Sequence, residues 1–221
     1  MQHTLFKAAH PGESCIIFFS GWGMDHKPFC LLSPGNYNLY FFYDFRSLEP
    51  EISLPEIFSS YKKIKIIAWS FGVWVCAYTL AKNNISAKCT AVNGTLCPVH
   101  DRFGIKKRIF QATIDALDEQ SLLRFYRNMF TGDAQAEKFL SLRPGRTLEN
   151  QKEELKALSG YFEKYPEISG RSDLFENIII SSRDRIIPAA RQKNFWEKTG
   201  YKEINSGHFM FFDLFRWDDI I

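Results

Sequence analysis

No metal or phosphate site announces itself in this sequence. His, Cys and carboxylate residues do not cluster at ligand intervals, and neither G-x-G-x-x-G nor a P-loop occurs. No cofactor is therefore expected. The five cysteines (Cys15, Cys30, Cys76, Cys89 and Cys97) are odd in number and include no C-x-x-C. Cys15, Cys76 and Cys89 lie in apolar contexts, so they read as small buried side chains rather than a disulfide framework. With no signal-peptide pattern at the start, the expectation is a reducing cytoplasm. Neither charge dominates: 28 Lys and Arg against 25 Asp and Glu leave +3, too little to argue for a nucleic-acid or membrane partner. The uncharged stretch 66–81 falls short of the ~20 apolar residues of a spanning helix, and it contains Ser70, Gly72 and Thr79. No Pro/Gly/Ser linker, repeat or low-complexity tract divides the 221 residues. One domain with a sizeable core is expected.

Aromatic residues are abundant: 21 Phe, 9 Tyr and 5 Trp. They suit a bulky core and an apolar pocket. Residues 15–19 form a continuous apolar run, as a strand buried on both faces requires, and 39–43, 64–68, 89–92 and 177–181 read as further strands. A short edge strand is expected over 4–8, a Pro11-Gly12 turn after it, and a last strand over 201–204. Helical patterns cover 54–61, 73–82 and 189–199. Strands alternating with helices predict an α/β fold, a mostly parallel sheet with helices on both faces. Between about 102 and 166 the character changes to charged, helically periodic segments (105–117, 119–130, 134–142 and 148–164). A helical block inserted between two strands reads as a cap over the strand ends, within one domain spanning 1–221.

The chain is organised around Ala68-Trp69-Ser70-Phe71-Gly72. A serine on a sharp strand-to-helix turn is a nucleophile elbow, which projects its hydroxyl from the top of a sheet. Ala68 stands where glycine is usual and adds only one methyl. A serine hydroxyl needs a base, and the base needs an orienting acid. In a hydrolase of this architecture they follow in the order Ser, Asp or Glu, His. Asp184 leaves the strand 177–181, at the sheet edge where ligands bind. His208 follows the last strand in Ser206-Gly207-His208-Phe209, where Gly207 lets the chain turn the imidazole inward. His3, His10, His26 and His100 fit that order worse. Asp101 is the rival acid, but it directly precedes Arg102 and reads better as a cap on the first inserted helix. Acyl chemistry also needs oxyanion donors. The backbone N–H groups of Phe71 and of Trp22, in Gly21-Trp22-Gly23, are the candidates, with the Trp22 ring at the pocket mouth. Asp44 and Arg46 read as a structural brace.

Taken together, Gly21-Trp22-Gly23-Met24-Asp25, Tyr43-Asp44-Phe45-Arg46, Ala68-Trp69-Ser70-Phe71-Gly72, Asn93-Gly94-Thr95, Asp184 and Gly207-His208-Phe209 resemble the BioG-type pimeloyl-[acyl-carrier protein] methyl ester esterases, compact α/β-hydrolases. The resemblance covers the core; the inserted block carries little motif information. It implies a serine carboxylesterase that removes the methyl ester from a pimeloyl chain on acyl carrier protein, a late step toward biotin. The inserted block is rich in Lys and Arg with interleaved aromatics, which suits an acidic carrier and an acyl tunnel. Lys106, Lys107, Arg124 and Arg127 are the first candidates for the carrier. Amphipathic helices carry charged outer faces anyway, so that surface is the looser expectation. The other readings are a general carboxylesterase, a thioesterase or a C–C bond hydrolase, and an inactive hydrolase fold that only binds. The sequence leaves oligomeric state open, with a monomer as the working expectation.

Overall fold

The computed structural model describes residues 1–8 and 12–220; His10, and Pro11 of the expected turn, lie outside the described residues. Among those described, seven strands form one sheet: β1 (Gln2–Phe6), β2 (Ser14–Phe19), β3 (Asn38–Tyr43), β4 (Lys63–Trp69), β5 (Cys89–Val92), β6 (Phe175–Ser181) and β7 (Lys202–Ile204), in the order β1-β3-β2-β4-β5-β6-β7. Only β1 runs antiparallel, against β3; the other neighbours are parallel. The expected mostly parallel sheet is therefore present. Its central strands fall on the segments read as strands in the sequence. Cys15, Ile16, Ile17, Phe18 and Phe19 are all buried, while β1, covered on one edge only, is largely intermediate. Burial pushes the Cys15 thiol up to about 12, so it behaves as a small apolar group.

The helices among the described residues are α1 (Leu54–Ser60), α2 (Gly72–Lys82), α3 (Lys107–Asp115), α4 (Glu119–Asn128), α5 (Asp133–Ser141), α6 (Leu148–Lys164) and α7 (Ala189–Trp196). α1 begins where Ser53 Oγ accepts the Glu56 N–H and Pro55 occupies the first turn. α2 is buried from Gly72 to Leu80, which explains its uncharged sequence. One side lies on β2 and β4; on another, Trp74 meets Phe162 and Tyr78 meets Tyr165. The segments α3 to α6 come between β5 and β6 in the chain, as the change of character at 102–166 predicts.

The crossover from β2 to β3 departs from strand–helix alternation. It carries only a 3-10 turn, Lys27–Phe29. Late residues cover the space instead. The apolar segment after His208 forms two 3-10 turns, Phe211–Asp213 and Trp217–Ile220. It is tied to the crossover by Ser33 N–H to Phe215 O (3.1 Å) and Trp217 N–H to Ser33 O (3.2 Å). Phe18 lies 4.6 Å from Trp217 and 5.7 Å from Phe211, and Phe29 lies 4.9 Å from Phe211, in tilted or edge-on pairs. Interlocked aromatic rings thus do the covering that a crossover helix does elsewhere. Trp217→Ala is expected to cost about 3–5 kcal/mol and to lower the urea midpoint. An unchanged midpoint would show that the cluster is not part of the core.

Candidate active site

The residue after β4 is Ser70, held at φ 58°, a left-handed backbone that a residue with a side chain adopts at a cost of about 1–3 kcal/mol. Two hydrogen bonds hold it there: its N–H donates to Val92 O (2.9 Å), and its carbonyl accepts the Val73 N–H (3.1 Å). Gly72 makes the turn possible, because a Cβ there would sit 2.3 Å from the carbonyl oxygens of both Phe19 and Ser20. Ala68 is fully buried, in register with Phe19 and Ala91, so the sheet accommodates its methyl.

Ser70, Asp184 and His208 come together from three loops at the carboxyl edge of the sheet. His208 Nδ1 lies 2.7 Å from Asp184 Oδ2, and Nε2 lies 2.9 Å from Ser70 Oγ. With Nδ1–H donating to the carboxylate, Nε2 accepts from the serine hydroxyl, the polarity that proton abstraction requires. All three side chains are buried. Asp184 Oδ1 also accepts the N–H groups of Ile186 (2.8 Å) and Ile187 (2.9 Å), and Oδ2 accepts Gln192 Nε2 (2.9 Å). The carboxylate is thereby locked in one orientation. The His208 carbonyl accepts the Trp69 indole N–H (3.0 Å) and the Asn93 amide (2.9 Å). Asn93, at φ 47°, also bonds Ser181 through its N–H and Oγ, which joins the ends of β5 and β6 to the histidine loop. Gln192 carries no signal in the sequence, and Asn93 and Trp69 stand there only as members of the Asn93-Gly94-Thr95 and Ala68-Trp69-Ser70-Phe71-Gly72 motifs, without these roles. Their side chains act on backbone or carboxylate from remote positions, and no local pattern signals that.

Gly207 serves a different purpose from the one expected. It is not in the left-handed region; a Cβ would meet Met129 O at 2.5 Å. Space against the inserted helices, not a turn, requires glycine. Asp101 accepts the Lys107 N–H at 3.1 Å, so it caps α3 as expected.

Ser70, Phe71, Gly21, Trp22 and His208 share a cavity of about 530 Å³, walled by Ile109, Phe110, Phe125 and Leu155. The Trp22 ring is buried, 4.9 Å from Phe125, and its indole N–H donates to Gln151 O at 2.7 Å. Phe71 immediately precedes α2, so its N–H lies at a helix N-terminus, which favours negative charge. Of the four carrier candidates, Arg124 lines this cavity, together with Arg108 and Arg185, which were not among them. Lys106 is exposed just before α3. Lys107 lines a separate hollow with Trp74 and His100, and Arg127 is paired with Glu137 at 2.7 Å.

The brace read into Asp44 and Arg46 is part of a larger chain of charges. Arg46 chelates Asp44 (2.9 and 2.8 Å), Arg146 lies 2.9 Å from Asp44, and Arg146 also lies 2.5 Å from Glu154. Burial alone would raise the Asp44 pKa; hydrogen bonds from Arg46 and the charges of both arginines outweigh it and hold the carboxyl below its usual value. For Glu154 burial prevails and raises its pKa, with Arg146 and two backbone N–H groups opposing.

With fold and geometry in hand, similarity to known proteins is specific. The family described as Pimeloyl-ACP methyl esterase BioG matches residues 2–220. This chain belongs to the BioG family. The crystal structure of BioG from Haemophilus influenzae superposes with a TM-score of 0.87 at 31% identity, covering 100% of this chain and 99% of that one. MGS-M2, an alpha/beta hydrolase from a deep-sea metagenome library, gives a TM-score of 0.62 at 16% identity, over 96% of this chain and 88% of that one. The fold is that of the α/β-hydrolases. A malonyl-[acyl-carrier protein] O-methyltransferase of Bacteroides fragilis (strain 638R) is 36% identical over 187 residues, or 84% of this chain. The chain spans only 37% of the length of that relative.

The depressed Asp44 pKa carries a sign. A carboxyl held below its unfolded value, about 3.9, contributes stability that is present above that value and lost as pH falls through the folded pKa. Asp44→Asn is expected to cost about 1–3 kcal/mol at pH 7, with the deficit shrinking in acid. Urea unfolding at pH 7 and at about pH 3.5 tests this; a pH-independent deficit would rule out the linkage.

Proposed function

We propose that this protein is a serine carboxylesterase that hydrolyses the methyl ester of pimeloyl-[acyl-carrier protein] in the cytoplasm. The observation that carries the reading is Ser70 Oγ at 2.9 Å from His208 Nε2, opening on an apolar cavity of about 530 Å³ with arginines on its wall. Membership of the BioG family supports the substrate. The relative from B. fragilis supports it from another side, because its name joins an acyl carrier protein to O-methyl chemistry. Methyl transfer itself is not carried over, since the shared region is a minor part of that protein.

In this reading Ser70 Oγ attacks the ester carbonyl while His208 Nε2 takes its proton and Asp184 holds the imidazolium. The N–H groups of Phe71 and Trp22 hold the oxyanion. The intermediate collapses, the C–OCH₃ bond breaks, and the proton on His208 goes to the departing methoxide as methanol leaves. A water, deprotonated by His208, then attacks the acyl-Ser70 ester. Its proton returns to Ser70 as the carboxylate departs. Residues 102–166 act as the cap, and the walls of Ile109, Phe110 and Phe125 hold the methylene chain. Arg108, Arg124 and Arg185 meet the acidic carrier and its phosphopantetheine phosphate. Lys106 and Lys107 remain outer contacts of the same charge, and Arg127 reaches a carrier only by releasing Glu137.

A fluorophosphonate probe is expected to label Ser70 in the folded protein, and Ser70→Ala to abolish labelling and cut kcat on the order of 10⁴–10⁶-fold. Absence of labelling would leave a hydrolase fold that only binds. Arg124→Glu is expected to raise KM for the carrier-bound methyl ester about 10-fold at low salt, with the effect fading at high salt, and to leave a free short-chain ester unaffected. Equal turnover of free and carrier-bound esters, without salt dependence, would instead indicate a general carboxylesterase.

A further inference from the structure

Along α6 the buried residues are Gln151, Glu154, Leu155 and Leu158, the i, i+3, i+4, i+7 face of an amphipathic helix. Two of the four are polar, and one is a carboxylate with no exposed surface. A buried carboxylate is costly unless it is paired and hydrogen-bonded. Glu154 is saturated: Oε2 accepts the Gly23 N–H at 2.9 Å and the Arg146 guanidinium at 2.5 Å, and Oε1 accepts the Phe45 N–H at 2.7 Å. It is therefore no acid or base for the reaction, and it does not line the cavity.

What it holds is the loop that carries Trp22. One helical turn earlier, the Gln151 carbonyl receives the Trp22 indole N–H. Just before α6, the Gly145 N–H donates to Asp25 Oδ2 at 2.7 Å. Residues 22, 23 and 25 are thus each bonded to α6 or its lead-in. The Gly23 N–H bond fixes the peptide plane next to the one whose N–H is offered to the oxyanion. Negative charge so close to a developing oxyanion would oppose the chemistry if left uncompensated. The run Glu153, Arg46, Asp44, Arg146, Glu154 alternates in sign, and the Arg146 guanidinium lies 2.5 Å from Glu154, so the clamp's charge is compensated where it holds the loop.

We infer that Glu154 is a positioning residue for the oxyanion hole, and that α6 belongs to the catalytic scaffold and not to a movable lid. The inference rests on the serine-hydrolase reading but not on the identity of the acyl chain. The test therefore uses p-nitrophenyl butyrate and a trifluoromethyl ketone, which binds as a hemiketal needing the oxyanion donors, beside the corresponding amide as a ground-state ligand. Glu154→Gln keeps the shape but loses the charge and one acceptor. It is expected to lower kcat about 10- to 100-fold with KM nearly unchanged. Ketone affinity should fall by the same factor while amide affinity holds. Glu149→Gln, on the exposed first turn of α6, is the control and should match wild type. If Glu154→Gln does not fold, Glu154→Asp keeps the charge balance but withdraws the oxygens from Gly23 and Phe45, and the same split is expected. Unchanged kcat in a folded variant, or equal losses for ketone and amide, overturns the inference. Wild type that neither turns over the ester nor takes up a fluorophosphonate defeats the underlying reading instead, and the inference with it.

Discussion

The left-handed backbone at Ser70 is the constraint on which the site depends. It is strained, and it persists because neighbouring backbone leaves no alternative: Gly72 lies against the carbonyls of Phe19 and Ser20, and Val92 receives the serine N–H. The same device recurs on both sides. Asp44 after β3 and Asn93 after β5 also have positive φ. Three strands of one sheet therefore turn sharply at one edge. Each turn delivers a polar side chain to a common layer: Ser70 toward His208, Asn93 under the His208 loop, and Asp44 into the charge chain that leads to the Trp22 loop.

Rigidity at that layer comes from two kinds of chemistry. Backbone-directed hydrogen bonds orient the acid and the imidazole, with Gln192 and two N–H groups on Asp184 and the Trp69 indole and Asn93 amide on the His208 carbonyl. Alternating charges connect sheet edge to helical insertion, from Arg46 through Asp44 and Arg146 to Glu154. Hydrogen bonds set angles over single contacts. The charge chain adds a further tie between two layers that also meet through the Trp22–Gln151 and Gly145–Asp25 hydrogen bonds and through apolar surface, which is adaptable and directionless. The two means together hold Ser70, His208, Asp184 and the Trp22 loop in fixed relative positions.

Much of this was legible because it is local. Buried parallel strands write themselves as largely apolar segments, unbroken from Cys15 to Phe19 in β2, and the elbow places strand, serine, glycine and helix within nine residues of sequence. Asp184 and His208 were readable from order along the chain, since each follows a strand end. The rest depends on which polar residue meets which remote group. Glu154 and Gln151 occupy the positions of an apolar stripe, yet in sequence they look like the polar side of a charged helix. Nothing near Arg127 shows that it is already bound by Glu137 on the next helix, or that Arg108 and Arg185 converge with Arg124 on one cavity. Gly207 was recognised as necessary, but for flexibility, where the structure needs room. Burial and partner choice are set by tertiary packing, which periodicity does not encode.

The aromatic layer after His208 bears on how the molecule comes into being. Phe211 and Trp217 cover Phe18 and Phe29, side chains made early in synthesis. Contacts between such distant parts of a chain form slowly and leave apolar surface open until they do. A nascent chain that has not reached His208 already contains Ser70, but it has neither the imidazole that meets Ser70 nor the cover for its own first core strand. Completion of the Ser70–His208–Asp184 contacts and closure of the core therefore arrive together, in the same short stretch of polypeptide.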